Sequence, residues 1–415
     1  MKGVKSTTLA FTMSVMLTAT TGFAQSTQSL TFTAIQGQVS AAQSVPITMT
    51  PNCPSCTILV NQVPRWLTIT PFSPMGSTTI SIIANANSLT AGSYSASVSL
   101  NMGGNPNITV SPSTLNVTFV VTASNLPVCS KPSLTIVGAG DFSSPVAPGS
   151  IVSLFGANIT SGVYTASDQS PTVLPTTLGG VSATITDVLG NTLPVSLIAV
   201  TPGQVNAVLP SGSQSGPIIV NLTASSGAKS CGSTTLAPVA PSLFTADQTG
   251  NWLAAAQVVI AHPDGSQTVM NAIAQYSSTL VFNGSRWSNW TPIPINLGSS
   301  TDVAVLELFG TGIRGVNAFA SAAKSLGTSL VSVDVCSKVQ NCTPYGSLNV
   351  LYAGAQGNGG SGSFYGLDQI NVVLPHSLSG SGVMFVEVGV VAPCSGCGLV
   401  PWMVDTLNVV QIDIQ

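Results

Sequence analysis

Apolar and polar residues alternate in short runs along the chain. Leu30-Thr31-Phe32, Val45-Pro46-Ile47-Thr48-Met49, Ile58-Leu59-Val60 and Trp66-Leu67-Thr68-Ile69 begin the series. Thr79-Ile80-Ser81-Ile82, Tyr94 to Leu100 and Leu115 to Val121 continue it. Successive side chains of a strand point to opposite faces, so this period predicts half-buried β-strands separated by turns. Seven of them in the first unit, residues 25–124, is the spacing of a β-sandwich.

Beyond the linker Ser124-Asn125-Leu126-Pro127, the pattern occurs twice more. Thr201-Pro202-Gly203-Gln204-Val205-Asn206-Ala207-Val208-Leu209-Pro210 has a later copy in Gly366-Leu367-Asp368-Gln369-Ile370-Asn371-Val372-Val373-Leu374-Pro375. In each, Gln and Asn share one strand face and the apolar residues between them share the other. Ser153-Leu154-Phe155-Gly156 likewise returns as Leu308-Phe309-Gly310. The glutamines lie 165 positions apart and the phenylalanines 154, so the later copy carries about eleven extra residues. The glycine-rich stretch Gly354 to Gly362 is a natural place for them. The expected fold is all-β: three tandem Ig-like antiparallel β-sandwiches, over residues 25–124, 125–243 and 244–415. The amide pairs Gln204/Asn206 and Gln369/Asn371 are expected to hydrogen-bond neighbouring loop backbone and fix how each loop enters its strand.

Residues 1–24 read as an export signal: Lys2 and Lys5, an apolar run from Leu9 to Leu17, then Gly22-Phe23-Ala24. The run is well short of the ~20 residues that span a bilayer, so a secreted, periplasmic or extracellular protein is expected, without a spanning segment. Charged residues make up only 5% of the chain, and loss of Lys2 and Lys5 takes its net charge from −3 to −5. So few scattered cations build no phosphate-binding surface, which argues against nucleic acid as a partner. A hydrophobic content of 44% is enough for cores and argues against disorder. The eight cysteines fit an oxidising compartment. Spacing pairs Cys53 with Cys56, Cys336 with Cys342 and Cys394 with Cys397, leaving Cys129 and Cys231 to bracket the second unit. Zinc would need two Cys-x-x-Cys pairs brought together, and these lie in different units; no metal and no cofactor are expected.

Two resemblances follow. Trp66-Leu67 with Pro71, then Leu89-Thr90-Ala91-Gly92-Ser93-Tyr94, resembles the BACON domain, an Ig-like module of secreted bacterial proteins. The later units carry Val146-Ala147-Pro148-Gly149-Ser150, Leu178-Gly179-Gly180-Val181, Leu308-Phe309-Gly310-Thr311-Gly312-Ile313-Arg314, Val350-Leu351-Tyr352-Ala353-Gly354 and both Gln/Asn strands. They resemble the uncharacterised C-terminal domain of many secreted acidobacterial proteins, a pair of IPT/TIG-type Ig-like folds. That resemblance implies fold but no activity. His376 stands where arginine is common in that family.

Catalytic motifs are sparse. The chain has two histidines, His262 and His376, and no G-x-S-x-G, H-E-x-x-H or phosphate loop. Glu307 and Glu387 sit within apolar strand patterns and read as solvated strand-face acids rather than a glycosidase pair. Trp66 reads as a core plug rather than a sugar platform. The best binding candidate is a turn-like run with Arg286, Trp287, Asn289 and Trp290, where aromatic faces and amides suit a sugar or peptide. One tryptophan packing under the loop onto the sandwich is the competing reading. The functional expectation is a non-catalytic surface binding or adhesion protein, with glycan or another surface protein as partner. A structural spacer or assembly subunit is the alternative, and a secreted enzyme with an unrecognised site the weaker one.

Overall fold

A computed structural model describes residues 26–415 except 88, 103–106, 167–173, 283–286, 320–329, 338–347, 360–363, 392–402 and 406–407. The expected export signal therefore lies outside the described residues. The chain is all-β, with three short 3-10 turns as its helical elements among the described residues. Among the described residues no helix is long and apolar enough to cross a membrane.

The first sandwich packs the sheet Thr27–Ile35, Thr114–Thr122, Gly92–Met102, Ile58–Asn61 against the sheet Leu67–Thr70, Thr78–Ala84, Gln43–Thr50, Thr109–Ser111. Alternation does the work: in Gln43–Thr50 the side chains of Val45, Ile47 and Met49 are buried while Pro46, Thr48 and Thr50 are exposed. Phe32, Ile47, Ile80, Val98 and Phe119 fill the interlayer space, each contributing ~1.5–3 kcal/mol by burial. Trp66 stacks on Phe119 with ring centroids 5.5 Å apart, a core position as expected. Among the described strand ladders one departs from the antiparallel expectation, and four isolated bridges, such as Pro132 with Cys231, are parallel as well. Thr27–Ile35 runs parallel to Thr114–Thr122 over nine partner positions. Alternation is the same for either strand direction, so the sequence period does not distinguish them.

The second sandwich sets Tyr164–Thr165, Ser196–Val200, Gln204–Val208, Ile151–Phe155 and Thr135–Gly138 against Thr177–Leu178, Val181–Thr186, Gly216–Thr223 and Lys229–Leu236. The third sets Gln267–Met270, Ala256–Ala261, Val303–Thr311, Asp368–Leu374 and Asn349–Ala355 against Val331–Cys336, Gly382–Val391, Met403–Asp405 and Val410–Ile414. Buried apolar residues gather into separate cores for the three sandwiches.

The internal repeat is also a repeat of register. Gln204 pairs with Phe155 and Asn206 with Ser153; Gln369 pairs with Phe309 and Asn371 with Glu307. On its other side each Gln/Asn strand meets a partner bulged at the same point, between Leu197 and Ala199 or between Val350 and Tyr352. Seven positions separate Ala199 from its partner Asn206, but nineteen separate Tyr352 from Asn371. The extra length of the later copy therefore lies after Ala355, in the glycine-rich connection.

Disulfides join Cys53 to Cys56 and Cys129 to Cys231. Cys336 is also disulfide-bonded; Cys342, Cys394 and Cys397 lie outside the described residues. The sandwiches touch in sequence. Gln38 Nε2 donates to Ser215 O between the first and second. Between the second and third, Ile151 N donates to Thr311 Oγ1 at 2.8 Å; within the third, the same hydroxyl donates to Gly366 O at 2.9 Å.

Candidate binding surfaces

Ala274–Phe282 and Trp287–Pro292 form a two-stranded antiparallel hairpin apart from the other sheets. Of the stretch expected to be turn-like, Trp287 to Trp290 lie in the second of these strands. Trp290 is half-buried and packs against Trp252, Leu253 and Ala274. Tyr276 meets its edge at 5.7 Å with the planes at 73°. Asn289 Nδ2 donates to Ser277 O at 3.0 Å and so ties the two strands together. Trp290 therefore follows the packing alternative. Arg286 lies outside the described residues, and Trp287 is placed by its backbone opposite Phe282. What the hairpin displays is a set the motif did not include: Tyr276 is 64% exposed, Leu280 59% and Phe282 52%. The unbroken apolar triple Leu280-Val281-Phe282 before the turn was the available signal, since alternation fails there.

The two Gln/Asn pairs face outward from their sheets, with Val205, Ala207, Ile370 and Val372 beneath them in the cores. Their side chains bond along the sheet rather than to loop backbone, correcting the expectation. Gln204 Nε2 donates to Asn206 Oδ1 at 2.7 Å, and Ser153 Oγ donates to the same oxygen at 3.1 Å. In the third sandwich Gln369 Nε2 donates to Asn371 Oδ1 at 2.7 Å, and Asn371 Nδ2 donates to Glu307 Oε1 at 3.3 Å. Glu307 also accepts from Gln257 Nε2. It is an anchored member of a polar row, half-buried rather than fully solvated. Glu387 lies in the opposite sheet, paired across strands with Asp334, so the two glutamates belong to different layers.

His262 is partly exposed and fully engaged. Its Nδ1 lies 2.9 Å from Asp302 Oδ1 and its Nε2 2.9 Å from Thr268 Oγ1. The order carboxylate–imidazole–hydroxyl is that of a nucleophile triad, but Thr268 stands exposed on the edge strand Gln267–Met270. The arrangement serves as a clasp between that hairpin and the Ser299–Asp302 turn. The His262 bond, followed by the backbone N–H of Ser299, holds the Asp302 carboxyl below the ordinary aspartate range. His376 Nε2 bonds to Asp302 O at 3.0 Å. No cluster of three or more His, Cys, Asp or Glu side chains suited to a metal occurs among the described residues.

Asp368, fully buried, explains why two motifs of the third unit occur together. Its Oδ2 accepts from Ile313 N at 2.7 Å and Arg314 N at 3.2 Å, and its Oδ1 from Arg314 Nε at 2.7 Å. Arg314 Nη2 reaches on to Leu367 O at 2.8 Å. The Gly-Thr-Gly-Ile-Arg turn is thereby locked to the Gly-Leu-Asp-Gln strand. Burial pushes the Asp368 carboxyl up, against the opposing pull of Arg314 and the backbone donors.

Fold and surface together define a tandem all-β sandwich protein. No family model matches the chain, and no curated protein matches it. Among solved structures it is similar to the Bacteroides ovatus mixed-linkage glucan utilization locus protein SGBP-B in complex with a mixed-linkage heptasaccharide. Identity is 11%, the TM-score 0.25, and the match covers 93% of this chain and 66% of that one. The human desmocollin-1 ectodomain matches at 10% identity and a TM-score of 0.16, over 94% of this chain and 61% of that one. An endo-fucoidan hydrolase of glycoside hydrolase family 107 matches at 9% and 0.15, over 94% and 43%. The chain thus spans about two thirds or less of these proteins. At such TM-scores none of them carries a functional assignment.

Proposed function

We propose that this is an exported, non-catalytic binding protein of the cell exterior that engages neutral glycan. Its leader is residues 1–24, and its first unit is BACON-like, followed by two IPT/TIG-like units. The observation that carries the reading is the separate hairpin Ala274–Phe282 and Trp287–Pro292, which presents Tyr276, Leu280 and Phe282 to solvent while Trp290 roots it. Large exposed apolar side chains gathered on one hairpin are surface of the kind that serves interaction, and aromatic side chains offer sugar rings an apolar face with a polar edge. Charge scarcity favours an uncharged polymer over an anionic one. The test is retention on a panel of insoluble neutral polysaccharides, wild type against Tyr276→Ala and Phe282→Ala. Retention that both substitutions leave unchanged, or no retention on any polymer, rejects it. A second reading, an assembly subunit, is favoured by the edge strand Asn349–Ala355, where Leu351 on the bulge is 56% exposed. Concentration-dependent self-association lost on Leu351→Lys would support it.

A further inference from the structure

A groove of about 280 Å³ opens between the second and third sandwiches, over the outward face of Gln204–Val208. Its walls carry Phe142, Ser153, Gln204 and Asn206 from one sandwich and Phe244 and Gln248 from the start of the next. No charged side chain lines it. Two of the four described non-glycine residues with left-handed backbone stand here: Phe142 at φ 57° and Gln248 at φ 58°.

Each is held there by its own turn. Phe142 N donates to Gly138 O at 3.0 Å and Gly138 N to Ser143 O at 2.8 Å. Gln248 N donates to Thr245 O at 3.1 Å, and Gly250 N to Thr245 Oγ1 at 3.0 Å. A left-handed phenylalanine or glutamine is strained, and such strain collects where a side chain must be aimed. Neither residue is aimed into a core, since both are exposed. Phe142 leans on Phe155 at 6.2 Å, and the Gln248 amide makes no hydrogen bond among the described residues.

The amide row beneath is unfinished in a particular way. Asn206 Oδ1 accepts from both Gln204 and Ser153, which leaves Asn206 Nδ2 as an open donor and Gln204 Oε1 as an open acceptor, side by side. In the third sandwich the same pair is closed, because Glu307 stands at the position of Ser153 and accepts from Asn371 Nδ2. The duplication thus kept the amides in both copies and left them free to bind in one.

We infer that this groove is a binding site for a single neutral sugar ring, with Asn206 and Gln204 taking two neighbouring hydroxyls and Phe142 and Gln248 closing from either side. A hydroxyl both donates and accepts, so a vicinal pair satisfies one open donor and one open acceptor together. The groove lies at the small end of ligand pockets, which run from about 300 Å³ upward and favour junctions between domains. The site shares only its ligand class with the hairpin proposal and occupies a different surface.

The experiment is calorimetric titration of the full mature chain with cellohexaose, laminarihexaose and xylohexaose. Wild type should bind at least one. Asn206→Ala and Gln248→Gly should each weaken that binding at least fivefold, and Gln248→Gly should hold or raise the melting temperature, because glycine accepts the left-handed backbone. Val128→Ala, at a side chain 89% exposed and outside both surfaces, should leave it unchanged, and Tyr276→Ala is titrated beside it to report any sugar taken by the hairpin. No heat with any of the three, or affinity that neither groove substitution moves, overturns the inference. Loss confined to Tyr276→Ala would assign the soluble sugar to the hairpin and overturn it as well.

Discussion

Replacing Arg314 by alanine should produce a large and pH-sensitive loss of stability. The Asp368 carboxylate has no solvent exposure, whereas the Arg314 side chain is 28% exposed. The substitution removes the Nε bond at 2.7 Å and the Nη2 bond to Leu367 O, but leaves the two backbone donors in place. A buried charge stripped of its counter-charge destabilises by about 3–5 kcal/mol. The partial exposure of Arg314 and the surviving backbone bonds place this case near about 3 kcal/mol. In a unit of this size that lowers the melting temperature by on the order of 10 °C. The pH dependence follows from burial, which already raises the Asp368 pKa above its unfolded value. A raised acid binds its proton more readily folded than unfolded. Its contribution is therefore fully present below the unfolded pKa of about 3.9 and is lost as pH rises through the folded value. Without Arg314 the folded value rises further, so the variant should regain stability relative to wild type as pH falls from 7 toward 4. Urea unfolding followed by tryptophan fluorescence at several pH values in that range measures this. A penalty below about 1 kcal/mol at pH 7, or one that does not shrink on acidification, would refute the account of Asp368 as a buried, charge-dependent clasp.

Three further outcomes are expected. Asp302→Asn should destabilise at neutral pH. The Asp302 pKa is depressed by His262 and Ser299, so its contribution is present above about 3.9 and lost as pH falls through the lower folded value; wild type and variant should converge in acid urea titrations. Replacing Cys129 and Cys231 by alanine should cost on the order of 4–5 kcal/mol in the chain-entropy description of a loop of 102 residues, measured by urea unfolding. Phe119→Ala, at a fully buried ring stacked on Trp66, should lower stability by about 3–5 kcal/mol, and a calorimetric scan that leaves the first transition in place would count against the core assignment.

Much of the framework was readable because strands write themselves in a period of two. The buried faces of Gln43–Thr50 and Gly92–Met102, the outward Gln/Asn pairs and the Cys129–Cys231 link all followed from alternation and spacing. Strand direction was not readable, since Thr27–Ile35 alternates identically whichever way its neighbour runs. Asp368 was hidden because an aspartate in a strand is expected to face water, and only the distant Arg314 turn makes its burial tolerable. The groove was hidden for a related reason. Phe142 and Gln248 adopt a backbone conformation usually betrayed by glycine or asparagine, and their nearness depends on how two sandwiches meet. The hairpin was half legible: its tryptophans drew attention, but Trp290 turned inward and Tyr276 took the exposed place.

The parallel pairing of Thr27–Ile35 with Thr114–Thr122 joins the first strand of its sandwich to the last. A protein fixed at one end and gripping a surface at the other is pulled along its length. In this sandwich the pull enters at Thr27 and leaves at Thr122, dragging the two strands past each other lengthwise. The backbone bonds along a ladder of roughly 30 Å, at about 3.3 Å per residue, are then loaded in shear and must fail together, whereas a hairpin pulled open at one end yields a bond at a time. The parallel ladder of Thr27–Ile35 with Thr114–Thr122 thus gives the first sandwich a geometry that resists lengthwise pulling as a block.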